Sequence, residues 1–355
     1  MKNIFKTILF FFSAISIAQD VGFSNILDEV YPDKNNLKFY KNYSIDSPKN
    51  TIYNINLVVK CELNSVIKVD YKSDSFNEII FSEVLDVPVE QNTGLDSRTE
   101  RFKGDINPYV IRRAPFRIFE IIKPIKSRRL ISKSNFSLIN VKIPIAKNLN
   151  LDKHQIDFTI YINDQKFSLK LKINIHDIII PELEKSNFFY TNWFNLSKME
   201  EYHELERWST DWYIMLDKYA KMMAYGRQNC VKIPAELIYI ENDEIFLNEE
   251  RMMSFINVFL KYGFKYFESP HLLDRGKNDD WGNPELITKL RDVGYYSDEG
   301  KKEIEDITYK IKQFTEKYNL SDKWLQHIAD EPTSVNAQCY IDVSNQIKDI
   351  HPDIK

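Results

Sequence analysis

The spacing of apolar residues changes near residue 180, and this change limits the folds open to the chain. From about residue 24 to 176, apolar and polar residues alternate at the period of a β-strand, most clearly at Thr51–Lys60. Residues 154–175 predict a hairpin around the turn signal Asn163-Asp164. No long helical pattern interrupts this half, so residues 19–180 are predicted to form a β-sandwich domain.

Beyond this point, short apolar segments alternate with helical patterns. Strands are predicted at 188–194, 230–234, 264–267 and 324–329, and helices at 211–225, 248–263, 304–318 and 335–347. This alternation predicts a parallel sheet with right-handed crossovers, and we interpret residues 181–355 as the first four βα units of a (β/α)8-type barrel. A closed barrel needs about 250 residues. We therefore expect a C-terminally incomplete sequence; a small open α/β sheet, complete as given, is the alternative.

The first 18 residues have the features of a secretory signal peptide. Lys2 and Lys6 precede an apolar run that begins at Ile8, and the small residues at 16–18 provide a cleavage site before Gln19. The apolar run is too short for a comfortable membrane span. We expect an exported protein, periplasmic, cell-surface or secreted, that has no stable membrane span after cleavage.

Composition excludes several classes of function. A net charge of -4 provides no basic surface for nucleic acid, so no nucleic-acid partner is expected. The three cysteines, Cys61, Cys230 and Cys339, are too far apart for a zinc motif and do not form a disulfide framework. The six histidines are scattered without ligand spacing, so neither a metal site nor a cofactor is predicted. No feature of the sequence indicates an oligomeric state.

The strongest candidates for chemistry are two consecutive acids near the C-terminus. Residues 324–332 read WLQHIADEP, an apolar run that ends in Asp330, Glu331 and Pro332. An Asp-Glu-Pro triplet alone is usually a solvated loop or a helix start. Here it follows a predicted strand, and α/β barrels present their acids at that position. Two carboxylates in different environments can divide their roles, one ionised and one protonated, for general acid–base catalysis.

The sequence resembles glycoside hydrolase family 123, the retaining β-N-acetylgalactosaminidases, and the proteins that share its catalytic domain. The resemblance rests on WLQHIADEP at 324–332, KYGFKYFESPHL at 261–272, YTNWF at 190–194 with GRQN at 226–229, and the N-terminal sandwich. It implies substrate-assisted hydrolysis of a glycan or glycolipid that ends in β-linked N-acetylgalactosamine. It further implies that Asp330 orients the 2-acetamido group, and that Glu331 protonates the leaving oxygen and then deprotonates water.

Five further residues are candidates for binding substrate. Trp193 is suited to stacking on a sugar, and Asn192 beside it to binding a hydroxyl. His271, Arg275 and Trp281 belong to the long loop after the third predicted strand, the expected rim of a barrel site. For each of them a structural role is the alternative, and His327 is predicted to be structural. Two other functions remain open: a non-catalytic exported glycan-binding or surface protein on the same scaffold, and a hydrolase of a different sugar.

Overall fold

A computed structural model describes residues 18–33, 39–91 and 110–355. The chain divides into two compact units, one ending at Ile180 and one comprising Pro181–Lys355. The predicted signal peptide lies outside the described residues except for Ala18. Within the described ranges, no helix has the length and apolar character needed to cross a membrane.

The first unit consists of two five-stranded sheets. Its strands are β1 (Asp20–Ser24), β2 (Asn42–Lys49), β3 (Thr51–Lys60), β4 (Val66–Lys72), β5 (Ile80–Val89), β6 (Phe116–Pro124), β7 (Arg129–Ile131), β8 (Phe136–Ile145), β9 (Lys153–Ile162) and β10 (Gln165–Ile179). One sheet has the order β1-β3-β8-β5-β6 and the other β2-β10-β9-β4-β7. The expected hairpin is confirmed as β9 and β10, with Asn163 in the left-handed region at φ 52°.

A single hydrophobic cluster joins the two sheets. Leu57 of β3 and Ile143 of β8 come from one sheet, and Ile160 of β9 and Leu171 of β10 come from the other. All four are fully buried. Because alternate residues of a strand point to opposite faces, the period-two pattern of the sequence is what places these side chains together.

The second unit contains five α-helices and several short strands in its described residues. The helices are α1 (Leu196–His203), α2 (Thr210–Tyr225), α3 (Glu249–Leu260), α4 (Asp298–Lys317) and α5 (Ala337–Ile350). The strands are β11 (Cys230–Lys232), β12 (Ile238–Glu241), β13 (Glu244–Leu247), β14 (Tyr266–Glu268), β15 (Leu273–Asp274), β16 (Ile287–Thr288) and β17 (Trp324–Leu325). β11, β14 and β17 form a parallel sheet in that order, while β12–β13 and β15–β16 are antiparallel pairs.

The four predicted helices are confirmed as α2 to α5. Asn248, predicted as a cap, accepts from the N–H of Arg251, and Ser209, which was not predicted, caps α2 by accepting from the N–H of Trp212. The inner faces of the helices contribute to one core, which also contains Trp324 of β17. The short helix α1 and the pairs β12–β13 and β15–β16 were not predicted.

Two of the four predicted strands need correction. Residues 188–194 do not form a strand: the N–H groups of Asn229 and Cys230 both donate to the carbonyl of Tyr190 at 3.1 Å, and the Asn229 side chain accepts from the N–H of Tyr190. The side-chain amide of Asn229 thus takes the place of a backbone partner from a neighbouring strand. The last strand is also shorter than 324–329, because after Leu325 the N–H of His327 donates to the Ser269 hydroxyl at 2.8 Å instead of to a neighbouring strand. The described residues therefore contain three parallel strands, not four.

Candidate functional site

The carboxyl ends of the three parallel strands bring ionisable side chains together. Lys232 is the last residue of β11, Glu268 is the last residue of β14, and the two are paired in register. Glu268 is also paired with Leu325, the last residue of β17. In parallel α/β sheets this edge is where ligands bind, because the segments that follow each strand converge there. His271, His327 and Asp330 lie in those segments.

Glu268 is the buried centre of this edge, with only 7% of its surface exposed. Its Oε1 lies 2.7 Å from Nδ1 of His327. The indole N–H of Trp193 donates to both carboxylate oxygens, at 3.2 and 3.3 Å. Buried carboxylates are stable only when hydrogen-bonded or paired, and these contacts meet that requirement. Glu268 thereby fixes the orientation of Trp193 and of His327.

Lys232 and His271 form the second contact of the cluster. The Lys232 ammonium donates to Nε2 of His271 at 2.9 Å, and the His271 ring lies 3.9 Å from the ring of His327. Burial, assisted by the charges of His327 and Lys232, lowers the pKa of His271 to about 4. A neutral imidazole is the state that can accept the hydrogen bond from lysine. Burial also lowers the pKa of Lys232, while the negative charges of Glu268 and Asp330 act in the opposite direction.

Trp193 separates two cavities beside the cluster. Its ring is 52% exposed and lies 5.4 Å from the ring of His271, and the Lys232 ammonium lies 4.1 Å from its centroid. A cavity of about 400 Å³ includes Trp193 and Lys232 in its lining. A second cavity, of about 350 Å³, includes Trp193 and Asn192. Neither lining includes Asp330 or Glu331.

Asp330 and Glu331 form an exposed turn beyond β17. Glu331 has φ 45°, a left-handed conformation that costs a non-glycine residue about 1–2 kcal/mol. Arg275 supports this turn: its Nη2 donates to the backbone carbonyls of Asp330 at 3.1 Å and of Glu331 at 2.9 Å. Strained backbone that is held by surrounding contacts is a feature of active sites and ligand clamps. The Asp330 carboxylate is close enough to influence both Lys232 and His271 electrostatically.

Arg275 is itself held by two residues of its own loop. Its guanidinium lies 3.5 Å from the ring centroid of Trp281, and its Nη1 lies 3.3 Å from Oδ1 of Asp279. The indole N–H of Trp281 donates to the other oxygen of Asp279, at 3.3 Å. The side chain of Arg275 is only 11% exposed. Arg275 therefore contacts the acid-bearing turn directly, and Trp281 contacts Arg275.

The predicted site residues fall into three groups. Trp193, His271 and Asp330 are brought together around Lys232. Arg275 contacts the turn of Asp330 and Glu331, and Trp281 packs on Arg275. Asn192 lies on the other side of Trp193, where its side-chain amide donates to the Tyr190 hydroxyl at 3.0 Å and its carbonyl accepts from Gln228 at 3.2 Å.

Sequence reasoning missed Lys232 and Glu268 and assigned His327 only a structural role. The signal that could have found the first two is position, because Lys232 lies within the predicted strand 230–234 and Glu268 directly follows the predicted strand 264–267. Polar residues at that edge are candidates for function whatever their spacing in the sequence.

Glu268, His271 and His327 also form a set of possible metal ligands, with one donor atom of each lying within 4.8 Å of the others. Two imidazoles and a carboxylate are a ligand set found in metalloenzymes. The Lys232 ammonium, however, already contacts His271. A divalent ion about 4 Å from that ammonium would meet about 8 kcal/mol of repulsion at an effective dielectric constant of about 20. Charged Lys232 therefore favours a hydrogen-bonded network over a metal site.

Comparisons with known proteins identify a similar fold. No family model matches the chain, and no curated protein matches it. A family 123 glycoside hydrolase from Clostridium perfringens, described in terms of glycolipid glycan hydrolysis, is similar with a TM-score of 0.68 and 10% sequence identity, over 93% of this chain and 62% of that one. A putative alpha-galactosidase from Bacteroides fragilis has a TM-score of 0.25 and 9% identity, over 86% of this chain and 48% of that one.

The chain thus spans less than two thirds of the clostridial enzyme's length. At 10% sequence identity, the similarity to the clostridial enzyme concerns the fold alone. The β-sheets and five α-helices of the described residues are arranged as in a family 123 glycoside hydrolase.

Proposed function

We propose that this protein is an exported glycoside hydrolase that releases β-linked N-acetylgalactosamine with retention of configuration. The observation that carries the proposal is the Asp330–Glu331 turn, which Arg275 holds in a strained conformation at the carboxyl edge of the parallel sheet. The fold shared with a family 123 glycoside hydrolase supports a glycan as the substrate. An exposed aromatic ring, Trp193, and neighbouring polar side chains supply what sugar binding requires.

The proposed reaction has two steps. In the first, the oxygen of the sugar's 2-acetamido group attacks the anomeric carbon, and the bond to the leaving oxygen breaks as Glu331 donates a proton to it. Asp330 accepts a hydrogen bond from the acetamido N–H and stabilises the positive charge that develops on the resulting oxazolinium. In the second step, Glu331 removes a proton from water, the water oxygen attacks the same carbon, and the acetamido group is released. Two inversions give net retention, and no cofactor is needed.

The proposal extends to the architecture and location of the protein. Residues 1–18 are removed as a signal peptide, residues 19–180 form a β-sandwich domain, and residues 181–355 form part of a (β/α) barrel that carries the active site. The two five-stranded sheets and the three parallel strands support this description. Export would bring the enzyme to glycans outside the cytoplasm, and the signal-like first residues support this location.

Hydrolysis of an aryl N-acetyl-β-galactosaminide tests the proposal. The wild-type chain should release the aryl alcohol, and NMR should show the β-anomer of N-acetylgalactosamine as the first product. Asp330→Asn and Glu331→Gln should each lower kcat by at least about 100-fold, whereas Glu305→Gln, on an exposed position of α4, should have no effect.

The rival functions give different results in the same assay. Binding of N-acetylgalactosaminides without turnover would identify a non-catalytic glycan-binding protein, which the exposed Trp193 would equally suit. Turnover of another aryl glycoside in preference to this one would identify a hydrolase of a different sugar.

A further inference from the structure

Glu268, His271 and His327 together have the composition of a metal-binding set, two imidazoles and a carboxylate. One donor atom of each lies within 4.8 Å of the others, and the centroids of the two imidazole rings are 3.9 Å apart. The ligand atoms of a tetrahedral zinc site are about 3.3–3.6 Å apart, since their bonds to the ion are about 2.0–2.2 Å long. Side-chain rotations that move the donor atoms by roughly 1 Å would therefore bring all three to one ion.

Neighbouring groups hold these side chains in place. The indole N–H of Trp193 donates to both carboxylate oxygens of Glu268, at 3.2 and 3.3 Å. The N–H of His327 donates to the Ser269 hydroxyl at 2.8 Å, and the side-chain amide of Gln326 donates to the same hydroxyl at 2.7 Å. Contacts of this kind orient the ligands of metal sites and strengthen metal binding. The three side chains therefore have the supporting contacts that a metal site needs.

The Lys232 ammonium takes the part that a metal ion would play. It donates to Nε2 of His271 at 2.9 Å and lies 4.1 Å from the ring centroid of Trp193. Nε2 has one lone pair, which can accept an N–H or bind a metal but cannot do both at once. The negative charges of Glu268 and Asp330 act on the ammonium as they would act on a metal ion. Lys232 thus uses both the lone pair and the negative charge that a metal would require.

We infer that Glu268, His271 and His327 form a latent site for a divalent cation such as zinc, and that the Lys232 ammonium closes this site to metal. The chain itself supplies the positive charge of the cluster, so the wild-type protein keeps these side chains in place without a metal. A neutral residue at position 232 would free Nε2 of His271 and leave the charges of Glu268 and Asp330 uncompensated. Both changes favour binding of a divalent ion.

Zinc binding by the metal-free protein tests the site. Zinc chloride is titrated calorimetrically into the wild type, Lys232→Met and Lys232→Gln, in a buffer that does not bind metals. Both neutral variants should bind one zinc ion per chain at least about 100-fold more tightly than the wild type, because the repulsion from the ammonium is removed. Cobalt in place of zinc should give both variants the visible absorption of a four-coordinate site, with water as the fourth ligand.

Further variants separate the position of the lysine from its charge and identify the ligands. Lys232→Arg keeps a cation at the same position and should gain no zinc binding. Lys302→Met changes the net charge by the same amount at an exposed position of α4 and should behave like the wild type. Adding His271→Gln or His327→Gln to Lys232→Met should weaken zinc binding at least about tenfold, since even the hydrogen-bonding partners of ligands contribute about 10- to 100-fold.

Folded Lys232→Met and Lys232→Gln variants that bind zinc no more tightly than the wild type would overturn the inference. A gain in zinc affinity that Lys232→Arg shares, or that survives both histidine replacements, would overturn it as well. Zinc binding is measured on the neutral variants and glycoside hydrolysis on the wild type. Either result can therefore fail while the other is obtained.

Discussion

Removing Arg275 should disable catalysis while leaving the fold intact. Its Nη2 donates to the carbonyls of Asp330 and Glu331, and hydrogen bonds from a charged donor contribute about 1.5–3 kcal/mol each. The left-handed conformation of Glu331 costs about 1–2 kcal/mol. In Arg275→Ala the strain is no longer offset, so the turn should relax and its carboxylates should move relative to each other.

The expected size of the effect follows from the geometry. A displacement of about 1 Å in a catalytic group costs about 100-fold in rate. Arg275→Ala should therefore lower kcat on the aryl substrate by about 100-fold, with KM changed by less than about threefold. Arg275→Lys keeps the charge but cannot reproduce the planar donor fork, and should lower kcat by about tenfold. Millimolar guanidinium should restore part of the activity of Arg275→Ala and none of that of Arg275→Lys.

Asp279→Asn is the matched control. It removes the ion pair of Arg275 at a 68% exposed carboxylate but leaves both donors to the turn in place. Exposed pairs contribute at most about 1 kcal/mol, so kcat should change by less than about threefold. Far-ultraviolet circular dichroism of every variant should match that of the wild type. A folded Arg275→Ala variant with kcat within a factor of two of the wild-type value would refute this account of the turn.

Further outcomes can be measured on the same protein. Glu331→Gln should lose less activity on substrates with activated aryl leaving groups than on unactivated glycosides, while Asp330→Asn should lose activity equally on both; a leaving-group series measures the difference. Dialysis against a chelator should leave kcat unchanged, because Lys232 opposes a divalent ion in the cluster, and added zinc should show no binding by calorimetry. Trp193→Phe keeps the aromatic surface but removes the donor to Glu268, and should lower the free energy of unfolding by about 1–3 kcal/mol in urea titrations. The folded-state pKa of His271 is about 4, below its unfolded value of about 6.5, so between these pH values only the unfolded chain takes up the proton. The free energy of unfolding should accordingly fall by about 1–2 kcal/mol as pH drops through this window, after allowance for solvent screening, and the fall should be smaller in His271→Gln.

The pKa of His271 depends on charged groups from several elements and not only on residues of its own loop. Lys232 of β11 and His327 after β17 oppose protonation, while Glu268 of β14 and Asp330 favour it. Burial is the largest cause of the lowered pKa. Comparing wild type with His271→Gln at pH 7 and pH 4.5 cancels the carboxylates that titrate in both proteins. An identical pH dependence of the two proteins would show that His271 is not held neutral.

Much of the fold could be predicted because its signals are local. A helix is indicated by apolar spacing of 3.6 residues and by a capping side chain, as at Asn248. Period-two alternation likewise identified β9 and β10. The prediction failed where a side chain took the place of a backbone partner. The Ser269 hydroxyl ends the hydrogen bonding of β17 in this way by accepting from the N–H of His327. The apolar run before Asp330 contains no signal for this contact.

The candidate site was less predictable because its contacts are distant in the sequence. Lys232 and His271 are 39 positions apart, and Glu268 and His327 are 59 apart. Such pairs have no fixed spacing, unlike zinc motifs or helical i, i+4 pairs. What these residues share is a position at the carboxyl edge of the parallel sheet, and this edge is formed only when the strands are in the order β11-β14-β17. Reading function from this sequence therefore required the topology first and the residue types second.

The turn that carries Asp330 and Glu331 has to meet two requirements in the proposed reaction. A carboxyl group that donates a proton to the leaving oxygen and later takes one from water must reach both, and catalysis requires it to be precisely positioned. The structure meets both requirements: Glu331 is exposed, and its backbone carbonyl accepts a hydrogen bond from Arg275, whose side chain is only 11% exposed. In the proposed reaction, these contacts therefore hold the backbone of Glu331 while its carboxylate remains accessible to substrate and water.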